Sequence, residues 1–346
     1  MSYRTLVVGT DGSERANRAV DRAADLAHRF DARLIVATAS APVGLTDHVA
    51  EDVLELGREV AGRRGVRAET AFREGDPQVV IASVAEDEGA DLIVVGNRGM
   101  GRTSRLRLGA IAERVARLAP SDVLIADTRE DRPAGEEVYP KILVGTDGSP
   151  TATDAAGRAF TLGMSLGVGV VVVCVTDDDL VGAITLEDTV KLRPRALGVI
   201  TKLVRGDPAQ RLADVAEEEG AGLIVVGNRG MAGARRVLLG SVPSKVANIA
   251  PVDVLVMRTV GKTLADLGPG QGGVVTIEGR KVAVFIEEGG ARHALNPRCS
   301  HMGCSVGWNA AERTWDCPCH GSRYALDGEV VQGPAKKPLD PEELPA

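Results

Sequence analysis

Aromatic residues make up only 3% of this 346-residue chain, and both tryptophans, Trp308 and Trp315, fall in its last quarter. That shift separates a C-terminal piece from an Ala/Val/Gly-rich remainder, and the length calls for two or three domains rather than one core. No run of about 18 apolar residues occurs, so neither a membrane span nor a stop-transfer helix is expected. The chain enters a strand pattern at Thr5-Leu6-Val7-Val8. This leaves no room for a signal peptide, and a cytoplasmic protein is the expectation. The net charge is -7, and basic residues are scattered or paired, as in Arg63-Arg64 and Lys336-Lys337. Nucleic-acid binding, which needs a basic stripe or patch, is excluded. No G-x-x-x-x-G-K-[ST] loop, catalytic base or arginine finger is present, so a competent ATPase is not expected.

What is present is a unit written twice. Leu6-Val7-Val8-Gly9-Thr10-Asp11-Gly12-Ser13 returns as Ile142-Leu143-Val144-Gly145-Thr146-Asp147-Gly148-Ser149, and Leu92 to Met100 returns as Leu223 to Met231. The offset drifts from 136 to 131, so the second copy is shorter between these anchors. In copy one, short apolar runs at 5–9, 34–39, 67–72, 92–95 and 123–126 suit central parallel strands covered on both faces. Between the first two, Ala16, Ala19, Val20, Ala23, Ala27 and Phe30 recur at three and four, the period of an amphipathic helix. Ser149-Pro150, Asp76-Pro77 and Asp207-Pro208 each pair an N-cap side chain with a first-turn proline. Strands alternating with helices make a doubly wound α/β fold, in two tandem copies at 1–130 and 138–260. In the second copy the segment from Asp177 to about Ala196 shows no clear long helix, apart from a short one at 186–192, and its loss would open the mouth of the second site.

In an open α/β sheet a ligand sits beyond the carboxyl ends of the strands, where glycines let backbone amides approach phosphate. Copy two reads Gly227-x-x-Gly230, nine residues, then Gly240-Ser241. This resembles the ATP-binding signature of the universal stress protein family, and both copies resemble that family over their whole length. The resemblance implies Asp147 on the adenine side, with Gly227, Gly230, Gly240 and Ser241 on ribose and phosphates, and ATP with a divalent metal ion as the ligand. Copy one carries Asp11, Gly96, Gly99 and Gly109 at the same places, but Ala110 stands where a hydroxyl residue belongs. Tight turns needing positive φ would retain the glycines without any ligand. Such domains pair through their last strands, which implies an internal pseudo-dimer through 123–126 and 254–257, against two beads joined by 128–140. A homo-oligomer is the further option.

After 254–258 the pattern changes. The stretch 264–273, with four glycines and a proline, reads as a linker into an all-β domain at 262–346. Glu278-Gly279 and Asp327-Gly328 mark hairpin turns there. Four of the five cysteines fall in two boxes, Cys299-Ser300-His301-Met302-Gly303-Cys304 and Cys317-Pro318-Cys319-His320-Gly321-Ser322, followed by Arg323-Tyr324. Two thiolates and two imidazoles satisfy a tetrahedral zinc ion, and they equally satisfy a [2Fe-2S] centre in which two histidines replace two cysteines on one iron. Both boxes resemble the Rieske iron-sulfur family, particularly its high-potential, disulfide-containing branch. The resemblance implies that Cys299 and Cys317 hold one iron and His301 and His320 the other. It also implies a Cys304–Cys319 disulfide joining the two loops, and a proline loop at Gly333-Pro334-Ala335 covering the cluster. Zinc would leave Cys304, Cys319, Ser322 and Tyr324 without a role. Hydroxyls of Ser322 and Tyr324 aimed at cluster sulfurs would favour the reduced form and raise the potential.

The fifth cysteine, Cys174, lies in a valine run and reads as a buried hydrophobe, and His293 reads as a surface strand residue. With His301 and His320 committed, the remaining His28, His48 and His293 form no clustered pair, so the second iron site of a Rieske oxygenase is not expected. The leading reading is an electron-transfer module that exchanges single electrons with a redox partner protein, carried on a tandem nucleotide-binding scaffold. A redox-sensing regulator without turnover is the alternative, and a zinc adaptor the third.

Overall fold

The computed structural model describes residues 3–40, 47–97, 108–129, 139–228, 240–258, 264, 267–277, 280–301, 306–310, 312–317 and 321–344. It falls into two compact units, one holding both α/β copies and one holding the C-terminal domain.

Copy one runs β1 (Thr5–Gly9), α1 (Glu14–Phe30), β2 (Arg33–Ser40), α2 (Asp47–Gly62), β3 (Glu69–Glu74), α3 (Pro77–Asp87), β4 (Leu92–Gly96), α4 (Ala110–Leu118) and β5 (Asp122–Ala126). Copy two repeats this as β6 (Lys141–Thr146), α5 (Pro150–Leu166), β7 (Gly169–Val175), α6 (Asp179–Lys191), β8 (Val199–Val204), α7 (Pro208–Glu218), β9 (Leu223–Gly227), α8 (Ser241–Ile249) and β10 (Asp253–Met257). All ten strands form one sheet in the order β3-β2-β1-β4-β5-β10-β9-β6-β7-β8. Pairing is parallel within each copy and antiparallel at the junction, where Val254, Leu255 and Val256 oppose Ile125, Leu124 and Val123. The copies thus join through the two strands expected to pair. Alternation along the strands feeds two layers: Leu6 and Val8 face the core that also holds residues of α1, α2 and α5, while Val7 faces the one that holds residues of α3, α4, α7 and α8.

The junction is locked by a crossed network of buried polar groups. Tyr3 donates to Asp122 Oδ2 at 2.8 Å and Arg158 of the other copy's α5 pairs with the same carboxylate. Symmetrically, Tyr139 donates to Asp253 Oδ2 at 2.8 Å, and Arg22 of α1 reaches that oxygen at 3.0 Å. Each Asp also accepts the backbone N–H that follows the opposite strand, Arg258 N for Asp122 and Asp127 N for Asp253, both at 2.8 Å. Buried carboxylates are tolerable only when paired and hydrogen-bonded in this way.

Two expectations are corrected. Copy two does possess the helix expected to be missing: α6 spans 13 residues, with Asp178 accepting from Leu180 N and Val181 N at its start. Its outward face carries the exposed Leu180, Val181 and Ile184, so apolar residues surround it and no amphipathic period shows. The mouth of the second site is therefore walled as in the first: Thr185 of α6 leaves no slack beside Gly148, as Val53 of α2 does beside Gly12. Second, Ser149 and Asp207 cap their helices, but the Asp76 carboxylate accepts nothing from α3.

In the C-terminal unit β11 (Gly272–Ile277), β12 (Arg280–Ile286) and β13 (Arg292–Leu295) form one antiparallel sheet. A second is made of β14 (Gly307–Asn309), β15 (Thr314–Asp316), β16 (Arg323–Tyr324) and β17 (Val330–Gln332). Val282, Val284 and Ile286 of β12 face one core, and Ala283 and Phe285 face the other, which holds Trp315, Tyr324, Cys299 and Cys317. Part of the expected linker is folded: Leu267 is buried in the first core, Gly270 N donates to Ile286 O at 2.8 Å, and β11 begins at Gly272. Glycine is required at 272 because the Trp308 ring occupies the space of a Cβ.

Candidate metal centre and nucleotide crevices

Each box is a loop closed by backbone hydrogen bonds. The first follows β13 and is pinched by Val306 N donating to Pro297 O at 2.8 Å, with Arg298 N turned onto Asn296 Oδ1. The second links β15 to β16 and is pinched by Cys317 N to Ser322 O at 2.7 Å and Gly321 N to Cys317 O at 3.0 Å. Gly321 has φ +72, a left-handed turn that an L side chain adopts only with strain. Cys299 and Cys317 are buried in the same core, neither in a disulfide among the described residues, and His301 is exposed. Cys304, Cys319 and His320 lie outside the described residues, and so does the disulfide expected between the first two.

Tyr324, fully buried, donates its hydroxyl to Cys299 Sγ at 3.0 Å and accepts from Ser300 N at 3.1 Å. Burial alone pushes the Cys299 thiol up. Hydrogen bonds from the Tyr324 hydroxyl, the His301 amide, Cys317 and Ser322 outweigh burial and hold it below the usual thiol range. Burial and the Cys299 sulfur together raise the Tyr324 phenol, which therefore stays a donor. A thiolate stabilised by hydroxyl and amide donors is the form that binds iron or zinc, so the sulfur chemistry fits a metal centre. Ser322 is buried beneath the proline loop, its Oγ accepting Ala335 N at 3.0 Å. Ser300 Oγ donates to Lys337 O at 2.7 Å, which ties that loop to the first box. Sequence reasoning missed Ser300, because a hydroxyl beside a ligand carries no spacing signal. His293 sits on β13 with Nε2 at 2.6 Å from Glu287 Oε1, away from any ligand role. Cys174 is buried in β7, and burial, then the nearby Asp147 charge, raises its thiol.

In the α/β unit the strand order reverses between β1 and β4, and between β6 and β9. A crevice opens at such a switch point, beyond the strand ends. Copy two brings Asp147, just past β6, to the same end as Gly227, which closes β9, and Gly240, which precedes α8. Gly240 N donates to Asn228 O at 2.8 Å, so the two ends of the glycine loop are clamped together and Ser241 stands at the N-terminus of α8. Copy one repeats the arrangement: Gly109 N donates to Asn97 O at 2.8 Å after Gly96 closes β4. Asp11 and Asp147 each accept the N–H of the serine two residues on, at 3.0 Å. Gly99 and Gly230 lie outside the described residues.

Comparison with known proteins matches the universal stress protein family at residues 2–127 and 183–258. The chain belongs to that family. The Rieske [2Fe-2S] domain matches residues 259–343, so this stress protein also carries a C-terminal Rieske domain, whose cofactor is a [2Fe-2S] cluster. A universal stress protein of Mycolicibacterium smegmatis is 29% identical over 291 residues, covering 73% of this chain and 96% of its own length. The cytochrome b6-f complex iron-sulfur subunit of a Synechococcus strain is 45% identical over 65 residues, 18% of this chain and 38% of that subunit. The chain covers between 14% and 38% of the length of the Rieske relatives it matches. Among solved structures, a universal stress protein from Archaeoglobus fulgidus shares the fold, with TM-score 0.61 and 22% identity over 74% of this chain and 98% of its own. No described helix is long and apolar enough to cross a membrane.

Proposed function

We propose that this stress protein is a one-electron carrier, with tandem nucleotide-binding copies at 1–130 and 138–260 and the electron-transfer domain at 262–346. Cys299 and Cys317 hold one iron of the cluster, and His301 and His320 hold the other. The observation that carries this reading is the buried Tyr324 hydroxyl on Cys299 Sγ, a donor that a merely structural thiol does not need. When bound, the cluster stores and releases single electrons. Tyr324 holds its proton toward Cys299 Sγ and so favours added negative charge, while Ser322 anchors the proline loop that keeps water from the thiolates. Cys304 and Cys319 form a disulfide between the loops, contributing about 3 kcal/mol by closing so short a segment.

The switch-point crevice of copy two binds an adenine nucleotide such as ATP with a divalent ion, using Asp147, the amides at Gly227, Gly230 and Gly240, and the Ser241 hydroxyl. Copy one, with Asp11, Gly96, Gly99 and Gly109 but Ala110, binds more weakly. Iron and acid-labile sulfide counted on the purified full chain, with EPR of the dithionite-reduced sample, test the cluster. A colourless protein holding one zinc overturns it. Titration with ATP and Mg²⁺ by calorimetry tests the crevice.

A further inference from the structure

The basic residues of this acidic protein are not spread evenly around the cluster loops. In the sequence, 289–311, 317–326 and 330–339 contain no Asp or Glu, yet they hold Arg292, Arg298, Arg323, Lys336 and Lys337. Arg323 is neutralised by Glu312 and Asp316. Arg298, Lys336 and Lys337 are exposed and form no ion pair among the described residues. Two contacts bring them to one end of the domain. Ser300 Oγ holds the Lys337 carbonyl at 2.7 Å and Ala335 N holds Ser322 Oγ, so the Lys336-Lys337 stretch lies against both boxes, and Arg298 is next to Cys299. Of the carboxylates beyond the stretch, Asp327 and Glu329 belong to the turn at Gly328, while Asp340 and Glu342 lie beside Asn296, where Asn296 N donates to Asp340 O at 2.7 Å and Glu342 is engaged by Asn296 Nδ2 at 3.3 Å and by Arg280 at 3.5 Å. Pro334, two residues before Lys336, is also exposed and adds apolar surface to this stretch.

We propose that this end of the domain docks a redox protein whose own electron-exchanging centre is ringed by carboxylates, with Arg298, Lys336 and Lys337 steering it onto the exposed His301. The inference rests on the cluster reading given above. A positive rim on a protein of net charge -7 selects such a partner at the point of electron exchange while the rest of the surface repels it.

The test uses the reduced full-length chain in stopped flow with ferricyanide, an anion, and separately with tris(phenanthroline)cobalt(III), a cation. Each takes one electron from the reduced cluster and becomes ferrocyanide or cobalt(II). The ferricyanide rate constant should fall about tenfold or more from low to high salt, and Lys336→Glu with Lys337→Glu should lower its low-salt value by a similar factor while raising that of the cobalt complex. A readout without electron transfer accompanies it. Redox-inert hexacyanocobaltate(III) should shift the amide resonances of Arg298, Lys336 and Lys337, and the double variant should abolish the shift. Equal salt dependence for both oxidants, or no shift with hexacyanocobaltate, overturns the docking proposal while the EPR signal of the reduced cluster stands. Absence of that signal overturns the cluster reading and the proposal together. Retention on anionic vesicles or DNA without the rate effect also overturns it.

Discussion

The crevices of the α/β unit and the cluster loops of the Rieske domain are specified by different parts of the chain. At the switch points the proposed groups are mostly backbone amides at strand ends and helix starts, where Gly240 N is clamped on Asn228 O and Gly109 N on Asn97 O. In the cluster loops they are side chains, with Cys299 and Cys317 buried and the Tyr324 hydroxyl on one sulfur. A backbone site survives substitution as long as the fold holds, and loses affinity in steps. A side-chain site loses its metal when one ligand goes. The two copies differ at one such position, Ser241 in copy two against Ala110 in copy one, whereas each box supplies its ligands only once.

The sharpest break of that contrast is Cys299→Ser. Iron should fall to background while ATP binding and the melting of the α/β unit stay unchanged; retention of full iron would remove Cys299 as a ligand. Next in size is Arg158→Leu, which leaves Asp122 buried beside Tyr3 without its guanidinium. Urea unfolding of the α/β unit should lose about 3–5 kcal/mol, with the EPR signal of the reduced cluster intact. Arg22→Leu should have a comparable effect through Asp253, and a loss under about 1 kcal/mol in both would show that the crossed network is not what joins the copies.

Smaller effects follow at the sulfur and the crevice. Tyr324→Phe and Ser322→Ala should each lower the midpoint potential, on the order of 60–130 mV at most, because a charge-assisted bond of about 1.5–3 kcal/mol is lost. An unchanged potential in both would detach the hydroxyls from the cluster. Ser241→Ala should weaken ATP about two- to tenfold, and Ala110→Ser should strengthen copy one by a similar factor, read by calorimetry. If Ser241→Ala has no effect, the difference between the copies lies elsewhere.

Much of this was legible along the chain. The paired motifs placed both copies, the family resemblance implied their junction strands, and the box spacing pointed to a metal before any fold was known. Even the lock at the junction left a trace, since Tyr3/Tyr139 and Arg22/Arg158 recur at the offset 136 and Asp122/Asp253 at 131, as the anchors do. Helix α6 was hidden because Leu180, Val181 and Ile184 face solvent, which erases the contrast between faces on which a periodicity argument depends. The folded part of 264–273 was hidden because glycines at 270 and 272 read as linker, although one is turned with φ +76 and the other makes room for Trp308. The third strand of copy one starts at Glu69, two residues later than its composition suggested, a boundary set by pairing with β2.

Repeat number and fold class are one-dimensional properties, carried by residue type and spacing, and the chain alone determined them. Which hydroxyl meets which sulfur, which guanidinium crosses to which carboxylate, and where Lys336 and Lys337 lie relative to Cys299 were decided only by tertiary structure. Those contacts join residues 25 apart for Tyr324 and Cys299, 36 apart for Arg158 and Asp122, and 37 apart for Ser300 and Lys337. Chain folding sets such distances through sheet register and loop closure, and no local pattern encodes them.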